Sequence, residues 1–240
     1  MKKVLLIGTA VTALMGGSAL AADIPLKAPP QADFFSWTGC YLGGHAGWAW
    51  QRDRLHEVTK ANGSTSPFNP TDAAKPDGVK LGGQLGCNWQ WGGPWVFGIE
   101  GDAEFADVNG TANYANTGFP PDFYKAHTDF QASVRGRLGY AVNRSLFYIT
   151  GGVAWADVKH TYVIGATSRV NESFSSTQTG WTVGGGWEYA LANNWIGRVE
   201  YRYADFGDVT NLPVVTFSRF SETHKLTEHA VRVGLSYKFW

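Results

Sequence analysis

Charged residues in this chain recur at every second position. Glu100, Asp102 and Glu104 do so, as do Arg135 and Arg137, and Arg198, Glu200 and Arg202; Lys80, Glu188, Arg232 and Lys238 sit in similarly alternating surroundings. A spacing of two puts such side chains on one face of a β-strand. Two chemistries suit acids and bases gathered in that way. They can line a weakly anion-selective constriction, or neutralise one another in a packed, salt-bridged plug. Charges taken out of water need partners in either case. The histidines offer less. His56, His127, His160 and His224 lie in or beside segments that read as loops and show no ligand spacing such as H-x-x-x-H, so solvated histidines are expected, with no metal or cofactor site. Ser, His, Asp and Glu also occur in the loops, but no spacing selects a nucleophile together with its base and orienting group, and no enzyme is expected.

The elements that must hold these charges are strands of one kind. In Val231-Arg-Val-Gly-Leu-Ser-Tyr-Lys-Phe-Trp240, Val231, Val233, Leu235, Tyr237 and Phe239 share one face, and Arg232, Gly234, Ser236 and Lys238 share the other. Seven more segments alternate likewise, at about 37–50, 79–90, 95–106, 129–141, 146–158, 179–191 and 194–206. In the fifth, the least polar, Phe147, Ile149, Val153 and Trp155 are taken as the outward set. Connections alternate too. Trp91–Pro94, Val142–Ser145 and Ala192-Asn193 are tight, whereas 51–78, 107–128, 159–178 and 207–225 are long.

The chain opens with Lys2 and Lys3, a short apolar stretch from Val4 to Met15, and Ala19-Leu-Ala21, the pattern of a secretory signal over residues 1–21. Residues 22–35 form a Pro-rich leader, and 36–240 form one strand domain. No apolar run long enough for a spanning helix follows Ala22. The mean hydropathy is slightly negative. Yet the chain carries 11 Trp, 10 Tyr, 14 Phe and 30 Gly, which suits aromatic girdles and curved strands. Formal charge is zero, with no basic patch for nucleic acid.

Together these features predict an all-β fold: an eight-stranded antiparallel up-and-down transmembrane β-barrel in a Gram-negative outer membrane, termini periplasmic and four long loops extracellular. A soluble carrier barrel would need an apolar interior, whereas here Trp, Val and Leu take one face and leave Arg and Glu for the other. Eight strands leave an interior just wide enough for side chains to fill, which favours the plug over the pore. Hairpin counting sets Glu100 near Arg135, Glu188 opposite Arg198 and Glu200 near Arg232. Pairing Trp50 near Val79 brings Cys40 and Cys87 almost opposite each other, either as a cross-strand disulfide or as two thiols.

Trp37-Thr-Gly-Cys-Tyr-Leu-Gly-Gly44, Gly82-Gly-Gln-Leu-Gly-Cys-Asn-Trp89, Phe97-Gly-Ile-Glu-Gly-Asp102, Val134-Arg-Gly-Arg-Leu-Gly-Tyr140 and Trp181-Thr-Val-Gly-Gly-Gly-Trp-Glu-Tyr189 resemble the small alphaproteobacterial outer-membrane barrels, the RopB-type proteins of rhizobia and their relatives in animal pathogens. The resemblance runs in order through the whole mature chain and implies an OmpA-like eight-stranded barrel without catalytic residues. The resemblance also implies the roles usually given to such proteins: structural or envelope-integrity work, sometimes that of a porin, with some members associated with host contact or haem binding. The chain departs from the family in having Cys40 and Cys87 where aromatics are usual, and in placing Trp240 after the terminal Phe239. A structural, surface-exposed role is therefore expected, ahead of a narrow low-conductance porin and of an adhesin or haem-binding protein acting through its loops. The expected partners are outer-membrane lipid and lipopolysaccharide, periplasmic chaperones, and the barrel-assembly machinery. That machinery would read Val233, Leu235, Tyr237, Phe239 and Trp240. The protein is expected to be a monomer.

Overall fold

Alternating apolar and polar side chains, with β-branched and aromatic residues at the apolar positions, favour a pleated sheet with two unlike faces. The computed structural model describes residues 35–67, 69–70, 72–115, 122–163, 171–213 and 219–239. The signal segment, nearly all of the leader and Trp240 lie outside the described residues. Eight strands form: β1 (Gly39–Thr59), β2 (Asp77–Gln90), β3 (Trp95–Asn113), β4 (Phe123–Val142), β5 (Ser145–Val163), β6 (Asn171–Ala190), β7 (Trp195–Asn211) and β8 (Phe220–Lys238). Each pairs antiparallel with the next, and β8 closes onto β1. In the girdled half every strand is paired on both sides, whereas the β6–β7 ladder stops at Trp181 opposite Asp205 and the β1–β2 ladder at Trp50 opposite Asp77.

Three tight connections gather at one end. The tightest, between β4 and β5, is two residues long and turns through Asn143, whose φ of 54° lies in the left-handed region that Asn tolerates. The outer wall carries an apolar belt that includes Leu42, Leu81, Leu85, Ile99, Val134, Ile149, Val183, Val199 and Val233, all exposed. Phe147, Val153 and Trp155 of β5 also face outward. Aromatic pairs border the belt. Trp95 with Tyr140 and Trp195 with Tyr237 meet edge to face at 5.2 and 5.3 Å near the tight turns. Phe105 with Phe130 and Trp181 with Tyr203 lie at 5.9 and 5.3 Å on the far border. Such girdles suit the two interfaces of a bilayer.

The strands are longer than their sequence suggests. β1 runs nine residues past Trp50, and its ladder with β8 continues to Thr59 opposite Phe220. Much of what reads as long loop is therefore strand, and the connections at this end shrink to 60–76, 114–122, 164–170 and 212–219. The physical reason lies on the outer face. Past the girdle its exposed positions hold Arg52, Arg54, Lys125, Lys159 and Lys225, so the apolar signal stops while backbone pairing goes on. Nine residues of tilted strand raise the barrel roughly 20 Å above the belt. The β1–β2 register also differs by two residues from the hairpin count: Trp48, not Trp50, faces Val79, and Cys40 stands directly opposite Cys87.

Candidate functional site

Inward-facing positions of successive strands bring the alternating charges into one network in the girdled half of the lumen. Six cations, Lys80, Arg135, Arg137, Arg198, Arg202 and Arg232, meet six carboxylates, Glu100, Asp102, Glu104, Glu188, Glu200 and Glu228, all buried. Glu100 is registered opposite Arg135, Glu188 opposite Arg198 and Glu200 opposite Arg232. The contacts then go beyond neighbouring strands. Arg135 donates to Glu100 at 2.6 Å and Asp102 at 2.8 Å on β3, and across the lumen to Glu200 of β7 at 2.9 Å. Arg198 of β7 reaches Glu100 at 2.5 Å and Glu188 at 2.6 Å. Arg202 and Arg232 both donate to Asp102, at 3.0 and 3.1 Å, and they also engage Glu104 and Glu200 respectively. Lys80 bridges Glu104 and Glu228 at 2.7 Å each. Planar guanidinium groups suit this work, since each offers five fixed donors to several carboxylates at once.

Neutral groups complete the shell. Tyr41 donates to Glu100 at 2.5 Å and Tyr148 to Glu200 at 2.7 Å, and the Arg137 guanidinium lies 4.1 Å from the Tyr148 ring centre. Room for the two phenols comes from glycines. A Cβ at Gly86 would sit 2.5 Å from the Tyr41 hydroxyl, and one at Gly186 would sit 2.6 Å from that of Tyr148. His45 fits between Gln84 at 2.6 Å and Glu104 at 3.0 Å. Lys238 stands apart from the network. Its ammonium reaches the Ser36 carbonyl and lies 4.3 Å from the Phe35 ring centre. Glu228 belongs to the network but escapes a reading of β8 that begins at Val231, because β8 starts at Phe220.

Below the network, toward the tight turns, Trp37 is fully buried against Val96, Leu146, Ala190 and Ile196, with Phe35 and Ala141 packed alongside. Its backbone N–H donates to Gln90 at 3.0 Å. Residues just before β1 thus fill that end of the lumen. On the outer face, Cys40 and Cys87 are joined in a disulfide. Val233, Leu235, Tyr237 and Phe239 all lie on the exposed face.

Above the network a second cluster forms in the extended part of the barrel. Here the expectation of solvated loop histidines fails for two of the four. His160 and His224 are buried, 1% and 0% exposed, and their rings stack at 3.8 Å. The cause is the strand extension: β5 reaches Val163 and β8 begins at Phe220, so both residues are inward-facing strand positions. Both contact the buried Asp53 carboxylate, His160 Nε2 at 3.2 Å and His224 Nδ1 at 3.0 Å. His224 Nε2 meets the Tyr162 hydroxyl at 2.8 Å, and Tyr162 accepts from Asn211 at 2.9 Å. Tyr124 donates to the Asp53 carbonyl at 3.0 Å. Burial opposes ionisation of Asp53, but the adjoining imidazoles outweigh it and hold the carboxyl below its usual range. Burial pushes His224 down. Burial, assisted by Glu57 opposite it on β1, pushes Glu222 up to about 8, even though Tyr114 donates to it at 2.6 Å. His56 is exposed, and His127 is partly exposed beside Asp129.

A closed antiparallel ring with an apolar outer belt, two aromatic borders and a charged interior is a transmembrane β-barrel. Comparison with known proteins narrows the class. The family described as outer membrane protein beta-barrel domain matches residues 9–239. The 31 kDa outer-membrane immunogenic protein of Brucella melitensis is 38% identical over the full length of both chains. The 25 kDa outer-membrane immunogenic protein of Brucella abortus is 32% identical, over 99% of this chain and 98% of its own. The 22 kDa outer membrane protein of Rhizobium leguminosarum is 31% identical over 85% of this chain and 79% of its own. Among solved structures, the outer membrane protein OprG of Pseudomonas aeruginosa aligns with a TM-score of 0.55 at 14% identity, over 84% of this chain and 96% of its own. That likeness concerns the fold alone. The chain belongs to the outer-membrane β-barrel family, among the small outer-membrane proteins of alphaproteobacteria, and resides in the outer membrane. These Brucella and Rhizobium relatives are named as outer-membrane and immunogenic proteins, not as enzymes.

Proposed function

We propose that this barrel is a structural, surface-exposed protein that supports envelope integrity, with a lumen closed by its own salt bridges. The observation that carries the reading is the six-to-six charge balance in the lumen, with Arg135 tying β4 to β7 across it. Trp37 and its apolar neighbours add a second seal toward the tight turns. The tight turns face the periplasm and the long connections face the medium, as usual for barrels of this class. Just past Trp50 and Tyr203, the outer wall holds a groove of about 660 Å³ lined by four cations, Arg52, Arg54, Lys75 and Lys225, and two acids, Asp77 and Asp205. It suits the phosphates of lipopolysaccharide at the outer interface. Assembly proceeds through periplasmic chaperones and the barrel-assembly machinery, and the protein works as a monomer.

Deletion of the gene from its own host tests the reading. The expected result is greater sensitivity to detergents with unchanged uptake of small hydrophilic solutes, restored by the wild-type chain. Slower solute uptake with intact detergent resistance would contradict it and mark a porin.

A further inference from the structure

Two groups of buried residues bring three metal-ligating side chains within 4.8 Å of one another: His45 with Asp102 and Glu104, and Asp53 with His160 and His224. The first is already filled by cations, because Lys80, Arg202 and Arg232 contact its carboxylates. The second differs. Among the described residues no lysine or arginine is buried at its level, and its carboxylate is met by the two imidazoles.

We propose that Asp53, His160 and His224 form a binding site for one divalent transition-metal ion of the zinc type. Two imidazoles and one carboxylate are a ligand set that zinc accepts, with a fourth position left for water or another ligand. The two carboxylate–imidazole spacings fit. Zinc bonds of about 2.0 Å to tetrahedral ligands put neighbouring donor atoms about 3.3 Å apart, and here Asp53 Oδ2 lies 3.2 Å from His160 Nε2 and 3.0 Å from His224 Nδ1. The two rings stack at 3.8 Å, closer than the roughly 5 Å that two imidazoles keep on one tetrahedral ion, so an entering ion has to part them. Three different strands supply the ligands: β1 and β8 are paired neighbours, and β5 meets them across the lumen.

The surroundings support ligation. A metal-bound imidazole needs its other nitrogen held, and His224 Nε2 already meets the Tyr162 hydroxyl, itself anchored by Asn211. His160 Nε2 faces the Asp53 carboxylate, which holds the ring proton there in the metal-free protein, and its buried Nδ1 has no hydrogen-bond partner and is free to take that proton when an ion displaces it. Each neutral imidazole can therefore move its proton to the far nitrogen and present a lone pair to the ion.

The test uses the untagged mature barrel, refolded in detergent, stripped with a chelator and checked by the mobility shift that intact barrels show on heating. Zinc is titrated by calorimetry, and cobalt by visible absorption, which reports tetrahedral geometry. One ion per chain with a tetrahedral cobalt spectrum is expected. Tyr162→Phe weakens binding roughly 10- to 100-fold, His160→Ala and His224→Ala weaken it further, and His127→Ala leaves it unchanged. Because alanine at a buried position can unfold the upper barrel, His224→Gln is measured alongside and is expected to lose the ion while keeping the heat-modifiable fold. The proposal is overturned if the folded wild type takes up no stoichiometric ion. It is equally overturned if folded His160→Ala and His224→Gln bind as tightly as wild type.

Discussion

The lumen holds two polar regions built on opposite principles. In the girdled half, each buried carboxylate has an arginine or lysine, and every cation touches at least two acids. In the extended half, Asp53, Glu57 and Glu222 are buried without a buried lysine or arginine among the described residues, and tyrosines, histidines and Asn211 take the place of cations. The first arrangement is self-sufficient: its charge sums to zero, and its guanidinium groups cross the barrel. The second leaves the Asp53 carboxylate charged among neutral donors, while burial pushes Glu57 and Glu222 upward, and Asp53 is the group there that welcomes a cation. A membrane barrel can thus be locked where lipid surrounds it and remain receptive where water does.

The largest effect that separates the regions is expected at Arg135. Arg135→Ala leaves Glu100, Asp102 and Glu200 each one cation short and the buried network with one excess negative charge, and removing one partner of a buried ionic cluster costs about 3–5 kcal/mol. Urea unfolding in lipid vesicles, followed by the heat-dependent gel shift, reads it directly. A loss below about 1 kcal/mol would mean that the network tolerates gaps as loosely as a surface ion pair.

Next comes the staple beside the network. The disulfide closes a span of 47 residues between Cys40 and Cys87. Replacing both cysteines by serine is expected to cost about 2–4 kcal/mol, seen as a lower urea midpoint with the same final fold. An unchanged midpoint would mean that barrel closure alone already restricts the β1–β2 hairpin.

The smallest effect is expected in the extended half. Tyr162→Phe removes one hydroxyl shared by His224 and Asn211 and costs about 1 kcal/mol in metal-free protein. A loss as large as that of Arg135→Ala would erase the contrast between a locked and a receptive region.

These two regions also differ in how far the sequence discloses them. Period-two alternation is strong where one face meets lipid, so strand number, facing and the Glu100–Arg135, Glu188–Arg198 and Glu200–Arg232 pairs could be counted across tight hairpins. Contacts that cross the lumen could not. Arg198 and Glu100 are 98 residues apart, and no hairpin count links them. The extended half is opaque for a further reason. Polar residues occupy both faces there, as Arg52 outside and Asp53 inside illustrate, so alternation no longer distinguishes strand from loop. His160 and Asp53, 107 residues apart, meet only after the ring closes. The signal that could have found them is parity: His224 keeps the inward phase of Arg232 when β8 is counted backward.

Single-channel recording on the refolded wild-type barrel in a planar bilayer, with Arg135→Ala alongside, tests most directly whether the charge network seals the lumen. A sealed lumen predicts no discrete openings from a folded wild-type barrel. Discrete wild-type openings whose ion selectivity changes with Arg135→Ala would contradict it, and would make the same charges the walls of a pathway.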